Sequence, residues 1–94
     1  ENRTVSSLAY FRAVIAARRG SMRDAILLAA EAEQVAPGDP HVLALRVALA
    51  NAVSDSATAA AAAKRLADLH DPFTIAEAVR EIQEIMRSPA IVSS

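Results

Sequence analysis

Asp39-Pro40 and Asp71-Pro72 place the same helix-starting device twice in one short chain. An aspartate at an N-cap accepts from the free backbone N–H groups of the first turn. A proline at the next position has no N–H to leave unpaired, and its fixed φ already suits a helix. The first pair closes Pro37-Gly38-Asp39-Pro40, the strongest break in the chain. The remaining punctuation divides the rest. Ser6 and Ser7 can cap a first helix from about Leu8 to Arg19, and Gly20 stops it at the position where a left-handed residue is favoured. Ser21-Met22-Arg23-Asp24 has the Ser-x-x-acid form of a capping box and opens a second helix to about Ala36. A third helix follows Asp39 and ends near Val53. Ser54-Asp55-Ser56 makes a short turn, and a fourth helix runs from Ala57 to His70. The fifth starts at Pro72 and ends by Ser88-Pro89, leaving a frayed tail.

Composition agrees with an all-α chain and narrows its chemistry. Of 94 residues 23 are alanine, the best helix former, and only two are glycine, too few for hairpins or phosphate loops. The absence of cysteine excludes disulfides, a thiolate nucleophile and the usual zinc sites. Ten basic and eleven acidic residues leave a net charge of −1, so no electrostatic case for nucleic acid exists. No stretch approaches the ~20 apolar residues of a membrane span, and no basic–apolar–small leader pattern opens the chain. The expected location is the cytoplasm. A domain this short buries only ~60–65% of its unfolded surface, and alanine adds little area per residue.

The helix pairs recur. Arg12 and Arg46 stand at equivalent depths in the first and third helices, and their separation matches the period of about 34 residues that marks helix–turn–helix repeat arrays. Gly20, Ala25, Ala29, Ala32 and Pro37 stand in the spacing of the second half of a tetratricopeptide repeat, which the segment resembles; Ala59, Ala63 and Leu66 fill the equivalent places in the second unit. The second turn lacks the glycine, and Arg12 and Arg46 stand where that family carries a packing residue. The resemblance implies a stack of antiparallel helix pairs in one domain over 1–94: repeat 1 about 6–38, repeat 2 about 39–70, and a terminal capping helix about 71–88. It further implies that the first helix of each unit lines a groove, with Tyr10, Val14 and Ala17 in one unit and Ala44, Ala48 and Asn51 in the next. Arg12 and Arg46 are candidate polar contacts, to partner acids or to neighbouring helices.

Two helices carry surplus apolar residues. From Val42 to Val53 only Arg46 and Asn51 are polar, so the third helix is expected to be flanked by the second and fourth at least. Either the stack simply buries it, or part of the first and third helices forms an exposed groove for a partner's amphipathic helix. The fifth helix is amphipathic: Ile75, Ala78, Val79, Ile82, Ile85 and Met86 form one stripe opposite Glu77, Arg80, Glu81, Glu84 and Arg87.

No constellation points to catalysis, metal binding or a cofactor. His41 and His70 lie about a repeat apart beside helix ends, where a cap and a helix dipole account for them. Asp24, Glu31 and Glu33 on the second helix and Glu77, Glu81 and Glu84 on the fifth read as solvated faces without an opposing acid. Ser6, Ser7, Ser21, Ser54 and Ser56 all fall at caps. The expected function is therefore non-enzymatic protein binding, as a small chaperone or adaptor for an amphipathic helix. The end of the chain, from Lys64-Arg65-Leu66-Ala67 through His70-Asp71-Pro72 into the fifth helix, is similar to the closing segment of small tetratricopeptide chaperones of type III secretion needle subunits. That likeness implies a type III secretion subunit as partner. The alternative is a structural or regulatory segment of a larger assembly that self-associates as a homo- or hetero-oligomer.

Overall fold

The computed structural model describes residues 2–87, with side chains from Leu8 onward. Five α-helices follow one another: α1 (Asn2–Arg18), α2 (Met22–Val35), α3 (Pro40–Ala52), α4 (Ser56–Leu69) and α5 (Pro72–Arg87). The protein is all-α, and no strand occurs among the described residues. The first helix begins at Asn2 and not near Leu8, because neither proline nor glycine interrupts Asn2-Arg3-Thr4-Val5. Ser6 and Ser7 therefore lie within the helix; their side chains, and the expected tail beyond Arg87, are outside the described residues.

The turns inside the two helix pairs are built alike. Gly20 closes α1 at φ +87°, its N–H donating to the Ala17 carbonyl (3.0 Å) while the Ser21 N–H donates to Ala16 (2.8 Å). Ser54 closes α3 at φ +63°, its N–H donating to Asn51 (3.1 Å) while the Asp55 N–H donates to Ala50 (2.8 Å). Both are Schellman caps, with the left-handed residue supplied by glycine in one and serine in the other. Serine accepts about 1 kcal/mol of steric strain there that glycine escapes. The helix bounds obey the interval that separates Arg12 from Arg46. It separates the end of α1 at Arg18 from the end of α3 at Ala52, and both ends of α2 from those of α4, each helix being 14 residues long.

Aspartate starts three helices. The Asp39 carboxylate accepts from the His41 and Val42 N–H groups at 2.8 and 3.3 Å. Asp55 accepts from the Thr58 N–H and hydroxyl at 3.2 and 2.7 Å. Asp71 accepts from the N–H groups of Phe73 and Thr74 and from the Thr74 hydroxyl at 2.6 Å. Serine has a smaller part than expected. Ser21 is the N-cap of α2 but makes no side-chain cap bond, Ser54 holds the left-handed turn, and Ser56 is the first residue of α4 behind Asp55.

The core gathers on α3, which packs against α2, α4 and α5, while α1 pairs closely with α2 and meets α3 and α5 lightly. Val42, Leu43, Leu45 and Leu49 are the largest fully buried side chains. Alanines let the partners approach: Ala9, Ala13 and Ala16 of α1 face α2 through Ala25, Ala29 and Ala32, all buried. The α5 stripe contributes Ala78 and Ile82 to the core, with Ile75, Ile85 and Met86 half-buried against it and Val79 at the exposed margin. The α2–α3 loop is tied to α4: the Arg65 guanidinium donates to the Pro37 carbonyl at 3.0 Å, and the His70 ring Nε2 donates to the Gly38 carbonyl. His70 also ends α4, its own N–H donating to Leu66.

Two outcomes follow from this packing. Leu49→Ala truncates a fully buried core side chain and should cost about 2–5 kcal/mol in a urea titration. Leu27→Ala, on the exposed side of α2, should stay within about 0.5 kcal/mol of the parent. The caps set the acid response. Threonine hydrogen bonds hold the Asp55 and Asp71 carboxyls below their ordinary value of 3.8. Depressed native values mean that the stabilisation is fully present above that pH and is lost as pH falls through the native values. Thermal melts followed by circular dichroism should therefore drop in midpoint below about pH 4, and the slope should flatten in an Asp55→Asn/Asp71→Asn double variant.

Candidate partner-binding surface

The residues expected to line a groove are divided by the fold. Tyr10, Val14 and Ala44 are buried in the core, Ala17 and Ala48 are half-buried against it, and Asn51 alone is exposed. Tyr10 and Val14 fill the space between α1 and the rest of the bundle, so no open groove floor runs through them. That placement corrects the register expected for the concave side. Arg12 is exposed on α1.

Arg46 has a different setting. Its Nε lies 3.2 Å from the Glu33 carboxylate of α2, and Arg65 Nε of α4 lies 3.6 Å from the other oxygen of the same carboxylate. Glu33 is half-buried and joins three helices, so it is not part of the solvated face on which the sequence alone places it. Beside this triad a hollow of about 270 Å³ opens along Ala57, Thr58, Ala61 and Ala62. No local pattern distinguishes Glu33 from Glu31; only the packing of α2 on α3 does.

At the other edge His41 ties α3 to α5. Its Nε2 donates to the Glu81 carboxylate at 2.7 Å, and Nδ1 lies 3.8 Å from the Asp39 capping oxygen. The Tyr10 ring stands edge-on to both His41 (6.4 Å) and Phe11 (5.4 Å). Burial above all, then the Glu81 and Asp39 carboxylates, push the Tyr10 phenol up to about 12, so it stays neutral. Its hydroxyl is buried and has no hydrogen-bond partner among the described residues. Glu77, Arg80 and Glu84 surround His41 and Glu81 on an open shelf. Among the described residues no group of three or more His, Asp or Glu side chains is placed to hold a metal ion. None of their helices is long and apolar enough to cross a membrane.

A row of exposed apolar side chains lies on α1. Leu8, Phe11 and Ile15 fall at i, i+3 and i+7, one stripe of a helix, and are 56%, 57% and 48% exposed. Arg12 and Arg19 stand on the same line. The stripe is invisible in the sequence because from Leu8 to Ala17 only Arg12 is charged and apolar residues fall on every side, so only packing decides which side is covered. Compared with known proteins, the chain matches no family model, no curated protein and no solved structure.

The unpartnered hydroxyl under His41 makes one clear forecast. An unsatisfied buried hydroxyl costs about 1–3 kcal/mol, so Tyr10→Phe, which keeps the ring and its edge contacts, should leave stability equal or raise it by about 1 kcal/mol. A urea titration of the two proteins decides it, and a clear loss on removing the hydroxyl would contradict this placement of Tyr10.

Proposed function

We propose that the chain is a non-enzymatic protein-interaction module, a small chaperone or adaptor that takes up an amphipathic helix along the outward side of α1. The observation that carries this reading is the stripe of Leu8, Phe11 and Ile15, three large side chains about half exposed in one helical register. Isolated apolar residues are normal on a surface, but an ordered row of them marks a place where another helix gains by packing. Helix ends and turns that recur at one fixed interval support the relation to tetratricopeptide-type pairs, and with it a role in binding proteins. The narrower reading, a chaperone of a type III secretion subunit, rests on the similarity of the segment from Lys64 into the fifth helix alone.

Self-association is the second reading, and one feature favours it. Ala60, Ala63 and Ala67 leave an exposed smooth face on α4, which a copy's α1 stripe could cover head to tail.

A photo-activatable amino acid at position 11 distinguishes the two in cells that make the protein. The expected outcome is a cross-link from position 11 to one other polypeptide, and none from position 27 on exposed α2. A cross-link from position 11 to the chain itself would establish self-association instead, and equal labelling from both positions would refute a docking stripe.

A further inference from the structure

The stripe on α1 has a counterpart inside the molecule, displaced by the same interval that relates the helix ends. Leu8, Phe11, Arg12 and Ile15 correspond to Val42, Leu45, Arg46 and Leu49 of α3. The two sets share spacing, apolar character and the single arginine, and they differ in what covers them. Val42, Leu45 and Leu49 are 2%, 0% and 1% exposed, against about half for their counterparts. What lies over that side of α3 is α2: Glu33 pairs with Arg46, and Ile26 and Ala29 wall one pocket together with Leu49. Elsewhere the units differ less: Ala9 and Ala16, like Leu43 and Ala50, are buried, while Ala13 and Val14 are buried where Val47 and Ala48 are half-buried. The largest difference in exposure between units thus falls on the side that a preceding second helix would occupy.

Resting on the docking reading above, we infer that the occupant of the α1 stripe is a helix with the chemistry of α2: aliphatic and small residues along one side, and a carboxylate placed to pair with Arg12 as Glu33 pairs with Arg46. The charge balance of the seat supports this choice. The stripe carries Arg12 and Arg19 and no acidic side chain among its described residues, so a helix bordered by lysine would meet like charge. Aliphatic residues on the incoming helix would meet Leu8, Phe11 and Ile15 as Ile26 meets Leu49. Arg12 would then exchange full solvation for a half-buried ion pair, which makes it a determinant of which helix binds and a weak source of affinity.

A synthetic helix with the sequence of residues 21–36 is the probe, its ends blocked, titrated into the isotope-labelled full chain and followed by NMR. The expected result is perturbation centred on Leu8, Phe11 and Ile15. Changing the peptide's Glu33 to lysine should weaken binding about three- to tenfold, and Arg12→Glu in the protein should restore it. Phe11→Ser should weaken both peptides alike, reporting on the stripe independently of the charge. Equal affinity of the two peptides for the parent chain would overturn the carboxylate requirement while leaving the stripe standing. No binding would overturn the inference, as would perturbation centred on Leu45 and Leu49, which would mean exchange with the resident α2.

Discussion

The enclosure of α3 is the constraint on which the other elements depend. A 13-residue helix that buries Val42, Leu43, Leu45 and Leu49 needs cover on most of its sides, and α2, α4 and α5 supply it. The alanines around it are the complement of that demand. A leucine-rich central helix requires partners that come close, and small side chains on α2 and α4 allow it. Few residues in so small a domain reach full burial, and α3 contains most of the large ones. The fold is organised around one helix, with α1 joined to it mainly through α2.

That arrangement explains where the polar staples fall. The half-buried Glu33 meets Arg46 and Arg65 where α2, α3 and α4 converge, and the carbonyls of Pro37 and Gly38 take donors from Arg65 and His70. A loop with a proline and a glycine leaves backbone acceptors without helical partners, and Arg65 of α4 and its C-cap His70 supply their donors. The His41–Glu81 bond does the same for α5, whose contact with α4 is slight and whose hold on the bundle is mainly through α3. These contacts settle the relative placement of helices more than they add to stability, since exposed ion pairs are weak in water.

Much of this was legible in the residues because helix ends are local. Asp39-Pro40, Asp71-Pro72 and Gly20 each act through their own backbone, so the five segments and the junctions between them are legible with small displacements, the start of α1 at Asn2 excepted. The failures have a common cause in packing across helices. Ser54 takes the left-handed cap because the repeat interval demands a turn there, although serine has no preference for it. Glu33 and Glu31 look alike until α3 lies beneath one of them. The same holds for α1: Tyr10 and Val14 were expected to face a groove and instead face the core, while Leu8, Phe11 and Ile15 face out. A helix apolar all round does not announce its covered side.

The outer sides of α5 and α1 are treated differently. On α5, Ala78 and Ile82 lie against the core while Glu77, Arg80, Glu81 and Glu84 are exposed, the division of faces of a helix that covers one side of a bundle. Over α1 no helix among the described residues plays that part, and the side that is buried in α3 stays open with its leucine, phenylalanine and isoleucine. Leu8, Phe11 and Ile15 keep about half of their surface in water, and Phe11 touches the rest of the fold through the edge of Tyr10, so their apolar character is only partly used in the described packing. A second helix packed on that stripe would bury it as α2 buries its counterpart on α3, which is the physical ground on which the proposed docking on α1 rests.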